Sequence, residues 1–138
     1  LVNEVSEYCR LNESISFATD FAESPFLVFA DPALFRQVFI NLFTNAEQAM
    51  PDGGAITVTG ISSPEGETII SVSDTGCGID EADKAKVFDA LHTTKTGGVG
   101  LGLSLCRDIL QRHDGTIRIE SGSNVGVQIV ITIPMKKT

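Results

Sequence analysis

Residues 31–54 read DPALFRQVFINLFTNAEQAMPDGG, and the fold class turns on them. Asp31 followed by Pro32 is a helix start. The carboxylate can take orphan N–H groups of the first turn, and Pro has no N–H to leave unpaired there. Phe35, Val38, Phe39, Leu42, Phe43 and Ala46 recur at helical spacing and make one broad apolar face. The helix is expected to run to about Met50, where Pro51-Asp52-Gly53-Gly54 stops it.

What flanks this helix sets the architecture. Two β-rich runs follow at 55–62 and 67–74, with Pro64-Glu65-Gly66 as the turn between them. Upstream, 14–21 alternates with Ile15 and Phe17 on one face, which predicts a strand, and 26–30 is a shorter strand candidate. Residues 1–10 predict a short helix with Val2, Val5 and Cys9 on one side. Downstream, a glycine-punctuated stretch with room for one short helix at 81–88 leads to a second long helix at 101–112. There Leu101, Leu105, Ile109 and Arg112 are spaced by about one turn. Strands at 116–121 and 125–133 close the chain as a hairpin ended by Pro134. This order is not a repeating βαβ pattern. It predicts an α/β (α+β) two-layer sandwich: a mixed, mostly antiparallel sheet of about five strands with about three helices on one face.

The 138 residues fit one domain, 1–138, large enough to bury a core without staples. No apolar run approaches the about 20 residues of a membrane-spanning helix, and the acidic start shows no signal peptide. The net charge of -8 argues against nucleic acid or an acidic membrane as partner, though not against a nucleotide whose phosphates Mg2+ screens. Cys9, Cys77 and Cys106 are three and widely spaced, so neither a disulfide framework nor a zinc pattern is expected. A reducing, cytoplasmic setting is the simple reading.

Three elements carry chemistry. Asn41, Asn45 and Gln48 share one helix face; such a stripe is either a solvated face or a ligand edge. Asp74-Thr75-Gly76-Cys77-Gly78 follows a strand and can present a carboxylate to an exocyclic amine such as that of adenine; alone it also describes a strand-ending turn. Thr93-Thr94-Lys95-Thr96-Gly97-Gly98-Val99-Gly100-Leu101-Gly102-Leu103 runs into a helix start, where backbone N–H groups and the dipole can cradle phosphate; alone it also describes a flexible surface loop. Lys95 adds a point charge and the Thr hydroxyls add donors. The order of Lys and glycines fits neither a Walker loop nor a Rossmann fingerprint.

Taken in order, these elements resemble the GHKL ATPase/kinase superfamily and, within it, the catalytic domains of sensor histidine kinases. Asn41-Leu42-Phe43-Thr44-Asn45-Ala46 looks like the asparagine box, and Asp74-Thr75-Gly76-Cys77-Gly78-Ile79 like the first glycine box. Val87-Phe88 through Thr93-Thr94-Lys95 looks like the phenylalanine motif. Gly98-Val99-Gly100-Leu101-Gly102-Leu103 looks like the second glycine box. The resemblance implies an ATP site with Mg2+ held by Asn45. Asn41 would lie beside metal and phosphates, with Gln48 on the same edge, and Asp74 would lie on the adenine amine. Gly76, Gly78 and Ile79 would lie close to the base. Thr93, Thr94 and Lys95, with the segment Gly98, Val99, Gly100, Leu101, Gly102 and Leu103, would hold the phosphates under a lid. Catalysis would fall to Asn41, Asn45 and Lys95.

The implied reaction is γ-phosphoryl transfer to a histidine on a dimerisation/phosphoacceptor domain of the parent protein in two-component signalling, with a response regulator downstream. The superfamily's ATPases place a Glu where Asn41 stands, so water attack should be slow here. His92 and His113 do not fit the setting of a phospho-accepting histidine, which must come from elsewhere in the parent or in trans. The chain departs from the family at Gln48, often Lys, at Phe88-Asp89-Ala90-Leu91-His92, which lacks the usual Pro and aromatics, and at Val127, often Thr. An ATP-hydrolysing module and a non-catalytic nucleotide-binding or interaction module are the alternative readings.

Overall fold

The computed structural model describes residues 14–21, 30–50, 52–63, 65–76, 99–121 and 126–134, with only the backbone described at 99–102 and 121. Five strands and two helices are arranged β1 (Ile15–Phe21), α1 (Pro32–Gln48), β2 (Gly54–Ser62), β3 (Glu67–Asp74), α2 (Val99–Arg112), β4 (Thr116–Ser121) and β5 (Val127–Pro134). The strands form one sheet in the order β1-β2-β3-β5-β4. β1 runs parallel to β2, and the other pairings are antiparallel. The mixed, mostly antiparallel sheet expected from the sequence is therefore present. The expected helices at 1–10 and 81–88 lie outside the described residues, as does the expected strand at 26–30 apart from Ala30, which is a bend.

α1 forms as its sequence dictates. The Asp31 carboxylate accepts N–H groups from Ala33 at 2.9 Å and Leu34 at 3.3 Å, and Pro32 occupies the first turn. All six predicted face residues are buried. They pack on the sheet face formed by Ile15, Ile56, Val58, Ile70, Val72, Ile129, Ile131 and Ile133. Phe43 meets Phe17 of β1 edge-on at 5.3 Å. Gly53, at φ 100, supplies the left-handed turn that brings the chain from α1 back into the sheet.

α2 begins two residues before the expected start, and its buried face differs from the expected one. Leu103, Cys106, Ile109 and Leu110 are in the core, whereas Leu105 is 44% exposed and Arg112 is exposed. A strict spacing of four drifts around a helix of 3.6 residues per turn. The 3-and-4 alternation from Leu103 through Cys106 to Leu110 tracks the sheet instead. α2 ends in a Schellman turn. Gly115 N–H donates to Leu110 C=O at 2.8 Å and Asp114 N–H to Gln111 C=O at 3.1 Å, with Asp114 at φ 58. Gly126 turns the chain at φ 85 into β5 at Val127, and the expected start at 125 lies outside the described residues. On the sheet face away from the helices, Ile61 is opposite Ile69, Thr59 opposite Ser71 and Thr57 opposite Ser73.

Candidate nucleotide site

α1 carries the amide stripe along the side that meets α2. Asn41 is half-buried, and its Oδ1 accepts Gln37 Nε2–H at 3.0 Å. Its Nδ2–H points across the helix pair to Cys106 Sγ at 3.8 Å. The Cys106 thiol in turn donates to Val38 C=O at 3.8 Å. Burial, partly offset by the Asn41 and backbone hydrogen bonds, pushes this thiol up from 9.0 to about 12. It therefore stays a neutral donor at physiological pH.

One turn on, Asn45 is half-buried, and its Nδ2 is buried with no hydrogen-bond partner. A buried amide N–H in that state costs about 1–3 kcal/mol, so the site fits a ligand bringing an acceptor oxygen. The carbonyl oxygen of the same amide is a hard donor of the kind Mg2+ takes. Among the described residues no group of three or more His, Cys, Asp or Glu could form a metal cage. Mg2+ commonly relies on few protein ligands plus substrate phosphates, and this donor set suits that mode. Gln48 is exposed at the end of the stripe.

Asp74 ends β3. Its Oδ1 accepts Gly76 N–H at 2.8 Å and Val127 N–H at 3.2 Å, so the carboxylate is fixed between its own turn and the start of β5. The turn is tied to the end of α1. A Cβ at Gly76 would lie 2.7 Å from the Ala49 carbonyl. Thr75 Oγ1 accepts Ala55 N–H at 3.1 Å and donates to Met50 Sδ at 3.5 Å. The glycine at 76 thus lets the turn pack closely on the end of α1. Gly126 lies against the Asp74 backbone, since a Cβ there would collide with the Asp74 carbonyl.

The structure therefore brings the C-terminal half of α1, the Asp74 turn and the α2 flank together. Val99, Gly100, Leu101 and Gly102 form the first turn of α2. Leu103 is 3% exposed and anchors that turn in the core. Gly78, Ile79, Thr93, Thr94, Lys95 and Gly98, with Cys77 and His92, lie outside the described residues. Two neighbours of the site went unread in the sequence. Gln37 lies four residues before Asn41, the same spacing that joined Asn41 to Asn45, and so was findable. Cys106 lies on another helix, and nothing local marks it.

Residues 30–137 match the family model of the histidine kinase-, DNA gyrase B- and HSP90-like ATPases. The chain belongs to that family. Within this ATPase family its relatives are histidine kinases. It is 38% identical over 106 residues to the signal transduction histidine-protein kinase AtoS of Escherichia coli, covering 77% of this chain and 17% of that protein. It is 36% identical over 110 residues to sporulation kinase E of Bacillus subtilis, covering 80% of this chain and 15% of that protein. The chain thus spans under a fifth of either relative's length. The catalytic domain of histidine kinase ThkA superposes with a TM-score of 0.85 at 36% identity, covering 97% of this chain and 90% of that one. ThkA has also been solved in complex with the response regulator protein TrrA, where the TM-score is 0.79 at 32% identity over 98% of this chain and 39% of that one. The fold of this chain is that of a histidine kinase catalytic domain.

Proposed function

We propose that the chain binds ATP with Mg2+ and positions the γ-phosphoryl group for transfer to a histidine on a helical phosphoacceptor domain of its parent protein. The observation that carries this reading is Asn45. A half-buried amide with an unpartnered N–H stands on the helix edge where the family's asparagine box falls. In this reading Asn45 holds the metal through Oδ1 and meets a phosphate oxygen through Nδ2. When bound, Mg2+ would neutralise charge on the phosphate oxygens.

The protein's own groups do the positioning. Asp74, fixed by two backbone N–H groups, accepts from the adenine amine. Asn41 lies beside the phosphates, and Gln48 borders the same edge. Lys95, Thr93 and Thr94, the backbone around Gly98 and the first turn of α2 hold the phosphate chain, while Gly78 and Ile79 border the base. Asn41 carries no carboxylate to take a proton from water, so transfer to an external nucleophile is favoured over hydrolysis. A response regulator is the downstream partner, by analogy with the ThkA complex, and the setting is cytoplasmic. No described helix is long and apolar enough to cross a membrane.

Calorimetric titration tests this directly. Mg2+–ATP is expected to bind in preference to Mg2+–GTP, and Asp74→Asn to weaken ATP binding. Labelled phosphate should then pass to a supplied histidine-bearing helical domain. A folded sample that binds neither nucleotide would sink the reading.

A further inference from the structure

Three hydrogen bonds around Asn41 run in one direction. Gln37 Nε2–H donates to Asn41 Oδ1 at 3.0 Å, Asn41 Nδ2–H to Cys106 Sγ at 3.8 Å, and the Cys106 thiol to Val38 C=O at 3.8 Å. A carboxamide can be turned end for end with little change in shape, so only its partners decide which end faces where. Here both ends are constrained. The Cys106 proton is committed to the Val38 carbonyl, which leaves sulfur as an acceptor, so an N–H must face it. The opposite end is then the oxygen, and Gln37 offers it an N–H. Cys106 is 0% exposed, so this anchor belongs to the core. Gln37 is exposed, and no core packing explains its side chain's direction.

We infer that Gln37 and Cys106 are positioning residues that set the polarity of the Asn41 amide, turning its donor end toward α2 and its acceptor end along α1. The inference rests on the reading of Asn41 as a nucleotide-site residue. Its consequence is that the donor end of Asn41 faces the helix whose first turn carries Val99, Gly100, Leu101 and Gly102. An amide with the opposite polarity would present a carbonyl oxygen toward phosphate oxygens and repel them.

A double-mutant cycle on the 138-residue chain tests this, with Mg2+–ATP affinity read by calorimetry and folding checked by thermal melting. Gln37→Met keeps the side chain's length and removes its donor. It is expected to weaken Mg2+–ATP about three- to tenfold without a lower melting point, and to have no effect in an Asn41→Ala background. The side-chain amide signals of Asn41, assigned by their loss in Asn41→Ala, should shift in a proton–nitrogen spectrum in both Gln37→Met and Cys106→Ala. Unchanged affinity in Gln37→Met, an equal loss in both backgrounds, or unmoved Asn41 amide signals would each overturn the inference. If Asn41→Ala itself binds like the unsubstituted chain while Asp74→Asn does not, the placement of Asn41 at the site fails, and the inference with it. If Asn41→Ala weakens binding but Gln37→Met adds to it in full, only the inference fails.

Discussion

His113 Nε2 accepts the backbone N–H of Asp31 at 3.0 Å, so the end of α2 holds the residue that caps α1. Its Nδ1–H donates to Ile109 C=O at 2.8 Å, which fixes the tautomer, and its ring meets Phe35 edge-on at 4.9 Å. This histidine is a structural clasp between the two helices of the site. His113→Ala removes the acceptor for Asp31 and one aromatic contact. It should lower unfolding free energy by about 1–3 kcal/mol, measured by denaturant titration. A loss below about 0.5 kcal/mol would mean that water replaces the ring without penalty.

Asp114 offers the opposite kind of change. It occupies the left-handed position of the Schellman turn at φ 58, where glycine has no steric penalty, and it sets a negative charge at the negative end of α2. Asp114→Gly is expected to stabilise the fold by about 0.5–1 kcal/mol. A lower melting temperature in that variant would refute the argument.

Gly126 controls Asp74 from behind. A side chain there would collide with the Asp74 carbonyl, at a φ of 85 that side-chain-bearing residues avoid. Gly126→Ala should cost about 1–3 kcal/mol in stability. Because relief of the collision displaces the Val127 N–H from the Asp74 carboxylate, ATP binding should weaken at temperatures where the variant is folded. Native-like affinity would show that Val127 does not help fix the carboxylate.

The Cys106 thiol makes stability depend on alkaline pH. Its pKa is 9.0 unperturbed and about 12 folded. Below pH 9 both states hold the proton and nothing changes. Between pH 9 and about 12 the unfolded chain releases a proton that the folded chain keeps, so stability falls as pH rises. The slope is up to about 1.4 kcal/mol per pH unit. Cys106→Ala should lose that component of the slope when both proteins are unfolded by denaturant at pH 8 and pH 10. The same slope in both would show that Cys106 titrates normally.

Much of this was legible in the sequence because the signals are local. Asp31-Pro32 announces the start of α1, and the spacing from Phe35 to Ala46 gives its buried face to the residue. Pro64-Glu65-Gly66 separates β2 from β3 where the turn is found. Other features depend on what packs beside them. The one-turn spacing through Leu105 does not give the buried face of α2, because a leucine at that spacing cannot say which side the sheet lies on. Nothing in residues 14–21 tells that β1 runs parallel to β2 while every other pair is antiparallel. At the candidate site, spacing and turn chemistry single out Asn41, Asn45 and Asp74, and only the resemblance of their motifs to the family's boxes gives them roles. The Cys106 anchor, 65 residues from Asn41, is not singled out, because only the packing of α2 on α1 creates it.

The parallel pairing of β1 bears on how the domain can be trimmed. The family match begins at residue 30, yet the sheet begins at Ile15. A chain cut at that family boundary would lose its edge strand, strip Phe17 from Phe43, and leave the seven register positions of β2 from Gly54 to Gly60 with bare N–H and C=O groups. Such an edge is a template for pairing with another molecule. β1 therefore acts as a guard against self-association as well as a part of the core.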